Sequence, residues 1–169
     1  MKKLLLSSLL FLFGMSTLYA LNPGETISAP ALKDAQDRPA SIPFFGQKTL
    51  TIFYTDPDVK DQNDPLADFL VDQKLPQDKY SGLGVANLAD TWKPNDLVRI
   101  FVREKIKKYN KTILTDTNHT LKNSWNLGDC NEKSVVIILD KNKKVLFVHK
   151  GQVPSSRFNE ILKIIKETF

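Results

Sequence analysis

Four aspartates, Asp56, Asp58, Asp61 and Asp64, stand within one short stretch between an apolar run and a predicted helix. Carboxylates at that density support three kinds of chemistry. They can cap a helix and complement its positive N-terminal dipole, gather a hard cation such as Ca²⁺, or form a recognition surface on a loop held by a rigid scaffold. The spacing does not match an EF-hand loop, whose sixth position requires Gly and here carries Asp61. Four carboxylates also oppose phosphate binding at a helix start. Capping is the ground role, and the four aspartates are candidate binding residues with no metal assigned.

Cys130 is the sole cysteine, set in Gly128-Asp129-Cys130-Asn131-Glu132-Lys133. One cysteine excludes an internal disulfide and a cysteine-based zinc site. A reactive thiol would need a cation to lower its pKa, and Lys133 is the local candidate. His119 and His149 are the only histidines, spaced neither as a metal pair nor as partners of a nucleophilic Ser. Trp92 and Trp125 are predicted to pack in the core.

The elements that position these residues follow from the apolar pattern. Residues 22–47 are turn-rich, with prolines at 23, 30, 39 and 43, and leave room for only a short edge hairpin. Thr49 to Thr55 is short, β-branched and aromatic, and reads as a buried strand stopped by Pro57. Asp64 and Pro65 then open a helix, Asp64 as N-cap, with Leu66, Phe69 and Leu70 on one face. Residues 82–88 give a second strand. Pro94-Asn95-Asp96 opens a helix buried through Val98, Phe101, Val102, Ile106 and Tyr109 and closed by Asn110. Residues 112–114 form a brief strand leading to Asp116. Ser134 to Leu139 is continuously apolar, as in a strand buried on both faces, and residues 145–148 pair back on it as a hairpin. Ser155 or Ser156 caps a last helix with Phe158, Ile161, Leu162, Ile165 and Phe169 inward. Strand–helix–strand crossovers followed by a hairpin give an α/β fold. The expectation is a three-layer α/β/α sandwich around a mixed sheet.

Composition narrows the setting. Residues 1–20 have the layout of a secretory signal peptide: Lys2 and Lys3, then an apolar core too short to span a bilayer, then a small-residue exit at Ala20. An uncleaved anchor is the alternative, because Leu18 sits where a small residue is preferred. Cleavage would leave 149 of the 169 residues, enough for one domain with one core. The formal charge of +5 becomes +3 without Lys2 and Lys3. That excess does not argue for nucleic acid, and no membrane span is expected after signal removal.

Along nearly all of residues 21–169 the chain resembles the thioredoxin-like superfamily, in its branch of exported TlpA-like proteins and peroxiredoxins. The resemblance is carried by Asn22-Pro23-Gly24-Glu25 through Leu32, by the TLTIFYT strand, and by the run IILDKNKKVLFVHKG. Within that branch, FYTDPDVKDQNDPL together with IILD is similar to the YtfJ family. That likeness implies a small periplasmic protein of a Gram-negative bacterium and brings no assigned activity. It places the superfamily's Cys-x-x-Cys pair near Asp58 and Asp61, and its cis-proline at Ser134, where a trans peptide is the default. Disulfide chemistry, and any cofactor, is therefore not expected. Asp129 and Ser134 join the four aspartates as candidate binding residues at one sheet edge, for an unidentified periplasmic protein or small ligand. The competing reading is a one-cysteine thiol or peroxide reductase using Cys130.

Overall fold

The structure, a computed structural model, describes residues 20–169, so the predicted signal segment lies outside it except for Ala20. In chain order the elements are β1 (Leu32–Lys33), β2 (Pro39–Ala40), β3 (Thr49–Thr55), α1 (Asp64–Asp72), β4 (Tyr80–Asn87), α2 (Asn95–Tyr109), β5 (Ile113–Asp116), α3 (Thr120–Ser124), β6 (Ser134–Leu139), β7 (Val145–Lys150) and α4 (Phe158–Lys166). The strands form one sheet in the order β2-β1-β5-β4-β3-β6-β7. β3, β4 and β5 run parallel, and the remaining pairings are antiparallel. Every residue of β6 is buried, as its unbroken apolar run requires of a strand covered on both faces.

Side-chain alternation splits the core into two faces. Leu50, Ile52 and Tyr54 of β3 pack with Leu21, Leu32, Ile42, Leu121 and Trp125. That face is covered by the N-terminal segment and by the short α3. On the opposite face, Leu66 and Leu70 of α1 and Ile161 and Ile165 of α4 meet Val136, Ile138 and Phe147. Beside them α2 sets Val98 and Val102 on Ala86 and Leu88. Both crossovers step the same way across the sheet, from β3 to β4 and on to β5, so α1 and α2 share a face. Among the described residues no helix is long and apolar enough to cross a membrane.

The mixed sheet, the edge hairpin of β1 and β2, and the left-handed Asn110 that ends α2 (φ 49°) match the sequence reading. Several local details differ. β4 starts at Tyr80, two residues before the predicted strand. Asn63, not Asp64, is the N-cap of α1, and its side chain caps no helix N–H because it is committed to Gly151 and Val153 instead. A 3-10 turn at Ser155–Arg157 precedes α4, neither serine caps that helix, and Phe169, expected inward, lies past its end at Lys166 and is exposed. α3 was not anticipated; the Asp116 carboxylate holds it by accepting from the Thr120 and Leu121 N–H groups (2.7 and 2.9 Å).

Candidate functional site

The C-terminal edge of the parallel strands gathers most of the candidate residues. β3 leaves the sheet at Thr55 into Asp56, a 3-10 turn follows at Pro57–Val59, and α1 begins only at Asp64. Asp58 and Asp61 thus sit on turns ahead of the helix, away from the dipole end that stabilises a thiolate in redox relatives of this fold. Asp56 is fully buried. One carboxylate oxygen accepts from Asp58 N–H and the other from Glu132 N–H, both at 2.8 Å, so a single side chain joins the β3–α1 and α3–β6 loops. Burial raises its pKa against the pull of the Glu132 bond.

Ser134 opens β6 beside this clamp and is also fully buried. Its hydroxyl shares a hydrogen bond with Thr55 (2.8 Å), and its N–H donates to the Gln62 side-chain carbonyl (2.8 Å). Among the described residues every peptide bond is trans. Gln62 and Asn63 are site residues that sequence reasoning missed; both are polar residues in a loop, and no spacing marks a partner 72 or 88 positions away.

The remaining aspartates part company. Asp58 pairs with Lys93 and accepts from the Thr91 hydroxyl (3.1 Å), which ties in the β4–α2 loop. Asp61 and Asp64 turn toward α2, where Lys105 bridges them at 3.1 and 2.6 Å. A bond from Lys60, joined by Lys105, holds the Asp61 pKa low. Asp129 points outward, pairs with Lys133, and has its pKa lowered mainly by that bond. Three of the four aspartates in the acidic stretch, Asp58, Asp61 and Asp64, are therefore paired with lysines, and Asp56 is held by backbone N–H groups instead. No three His, Cys, Asp or Glu side chains converge to hold a metal ion among the described residues.

Cys130 lies beneath this edge, fully buried, its thiol directed at the carbonyls of Gly128 (3.6 Å) and Leu127 (4.0 Å). Burial raises its pKa, with Lys150 and Lys122 opposing. Lys133, the cation expected to activate it, is spent on Asp129. A second polar group lies at the end of β4. Asp90 accepts from Asn87 (2.6 Å) and Lys122 (3.0 Å) and meets His119 Nε2 at 2.7 Å. Burial works against the Asp90 anion, and these three partners together outweigh it and hold its pKa low. Trp92, expected in the core, is instead 82% exposed on the β4–α2 loop, while Trp125 is buried as expected.

This architecture is similar to that of solved thiol proteins. The peroxidoxin BcpB of Mycobacterium tuberculosis has a TM-score of 0.61 at 14% identity, over 88% of this chain and 99% of that one. The thioredoxin domain of a thiol-disulfide oxidoreductase from Bacteroides vulgatus gives 0.60 at 14%, over 86% and 99%. The exposed lipoprotein thioredoxin Etrx1 of Streptococcus pneumoniae gives 0.59 at 16%, over 83% and 99%. At these identities the likeness establishes the thioredoxin-like fold and nothing finer. No curated protein matches the chain. Residues 53–168 match the model of a family described as a bacterial protein of unknown function, YtfJ_HI0045, and that span covers the clamp, the aspartates and all four helices. The chain belongs to the YtfJ_HI0045 family.

Proposed function

We propose that this protein is an exported, periplasmic binding protein that keeps the thioredoxin-like scaffold without its thiol–disulfide chemistry. The observation that carries the reading is the Asp56 clamp. Two backbone N–H bonds from two loops close the sheet edge where a thiol pair would open to substrate. The sole thiol is buried beneath it with its pKa raised, which disfavours the nucleophilic thiolate. An edge so braced suits recognition, because loops fixed on a rigid sheet lose little entropy on binding. The face comprises Asp58, Asp61, Asp64, Asp129 and the exposed Trp92, a residue type enriched among binding hot spots, with the fully buried Asp56 and Ser134 bracing it from beneath. The apolar stretch near the start of the chain and the exposed-lipoprotein relative support export.

A thiol titration of the native protein tests the reading. Cys130 should stay unreactive toward an aromatic disulfide at neutral pH until denaturant is added, and neither the wild type nor Cys130→Ala should reduce insulin or consume peroxide. Prompt reaction of the native thiol, or peroxide consumption abolished by Cys130→Ala, would remove the non-redox reading. A photo-crosslinker at position 92 tests the face in periplasmic extract. A defined adduct that Asp129→Lys weakens supports it, and no adduct from position 92 while control positions react removes it.

A further inference from the structure

A cavity of about 770 Å³ lies between α1 and α2, on the opposite face of the sheet from the buried thiol. That is within the range of small-molecule sites, roughly 300 to 1,000 Å³. Its walls are Leu70, Val71 and Leu75 on the α1 side and Val98, Phe101 and Val102 on α2. Its floor is β4, which presents Gly82, Gly84 and Ala86 toward the helices, in register with Thr51, Phe53 and Thr55 of β3. The floor is open because those three side chains are absent or small.

Gly82 has no structural need to be glycine. Its φ is not positive, and an added Cβ would meet the Tyr80 hydroxyl at 3.6 Å and the Thr51 carbonyl at 4.0 Å, both ordinary contacts. A glycine inside a strand weakens the sheet and marks places where a ligand comes close to the backbone. Directly beside it in register, the Thr51 hydroxyl is fully buried without a well-formed hydrogen bond. The floor is therefore an apolar trough whose polar spot is the Tyr80 hydroxyl, with the Thr51 hydroxyl buried behind it.

Charge decides what fits. The charged residues lining the groove are four lysines, Lys60, Lys74, Lys105 and Lys111, and one aspartate, Asp64. Lys60 and Lys105 are occupied by Asp61 and Asp64. Among the described residues, Lys74 and Lys111 have no carboxylate within ion-pair distance. Lys74 follows the end of α1 and Lys111 the end of α2, and both helices run back to the edge where the parallel strands begin. Each helix C-terminus contributes roughly half a negative charge, so two full positive charges leave that end net positive.

We propose that the groove binds a single-chain anionic amphiphile of the fatty-acid type. Its tail lies over Gly82 and Gly84 between the helices, and its carboxylate sits by Lys74 and Lys111. One end of the groove meets the loop face described above at Asp64 and Ser134, but the tail and carboxylate sites lie at Gly82, Gly84, Lys74 and Lys111, outside that face, so either reading can fail alone. The test is titration of the exported chain with dodecanoate, dodecyltrimethylammonium and acetate, followed by amide NMR shifts. Dodecanoate should shift Gly82, Gly84 and Phe101 and bind at least tenfold tighter than the cationic amphiphile, and acetate should not bind. Gly82→Val should weaken dodecanoate at least tenfold. The double variant Lys74→Gln, Lys111→Gln should keep tail binding and lose the preference for the anion. Val71→Glu, at a position 52% exposed and so harmless to folding, should also block the groove. Equal affinity for both amphiphiles, shifts that map elsewhere, or undiminished binding by both Gly82→Val and Val71→Glu overturns the proposal. So does a dimer, seen by sedimentation, that closes the groove against dodecanoate.

Discussion

Asp56 shows how one carboxylate replaces a chemical function with a mechanical one. Both its oxygens accept from backbone N–H groups, and an amide in its place has a single acceptor. Asp56→Asn therefore leaves one buried N–H facing an NH₂ group and should destabilise the protein by about 1 to 3 kcal/mol. The pH dependence of that difference is set by the raised pKa. In the window above the unfolded value of 3.8 and below the folded value, the native state holds the proton more tightly than the unfolded chain. Asp56 thus contributes stability that is complete below 3.8 and is lost as pH rises through its folded pKa. Urea midpoints of wild type and variant between pH ~3 and ~7 should show the wild type's advantage largest in acid. An advantage that grows with pH would mean that the anion is the favoured form. Asp61 and Asp129 titrate with the opposite sign: their pKa values are lowered, so what they contribute is present above 3.8 and lost as pH falls.

Element boundaries carry a second test. α1 is followed by Lys74 and α2 by Asn110, both in the left-handed region (φ 48° and 49°) that glycine adopts at no steric cost. Lys74→Gly should raise stability by about 0.5 to 1 kcal/mol, and Asn110→Ala should lower it by about 1 kcal/mol, read from thermal midpoints. A stability loss in Lys74→Gly would show that its side chain anchors α1. These elements also mark what the sequence makes legible. β3 and β6 are written in their apolar runs, and α2 in the spacing of Val98 and Val102, because local periodicity reports which face is buried. α3 escaped because five residues hold no helical period, and its start is fixed by Asp116 across a loop. The clamp escaped for the same reason: the distance from Asp56 to Glu132 is short only in the folded chain. Gly82 and Gly84 read simply as weak strand residues, and their effect, a floor without side chains, requires knowing which helices pass above.

At the scale of the molecule, the two sheet faces are closed by different means. Three helices cover one face. The other depends on an irregular segment that is stitched to the sheet by backbone bonds, Gly24 N to Val145 O, Val145 N to Glu25 O and Ile27 N to Lys143 O (2.8, 2.8 and 3.1 Å). The Ser28 carbonyl also accepts from the Trp125 indole (2.8 Å), and Leu21 is buried against the same core. Deleting residues 21–28 therefore uncovers an apolar side chain worth about 2 kcal/mol and strands the Val145 N–H and the indole N–H, at about 1 to 3 kcal/mol each. The sum, on the order of 5 kcal/mol, rivals the whole stability of an ordinary domain. Trp125 is itself the reporter, once Trp92→Phe has silenced the exposed indole. The truncated protein should show a red-shifted Trp125 emission in buffer and a urea midpoint lowered by a third or more. An unchanged midpoint would mean that α3 and the loop after it close that face unaided, and that the N-terminal segment is a passenger on the sheet.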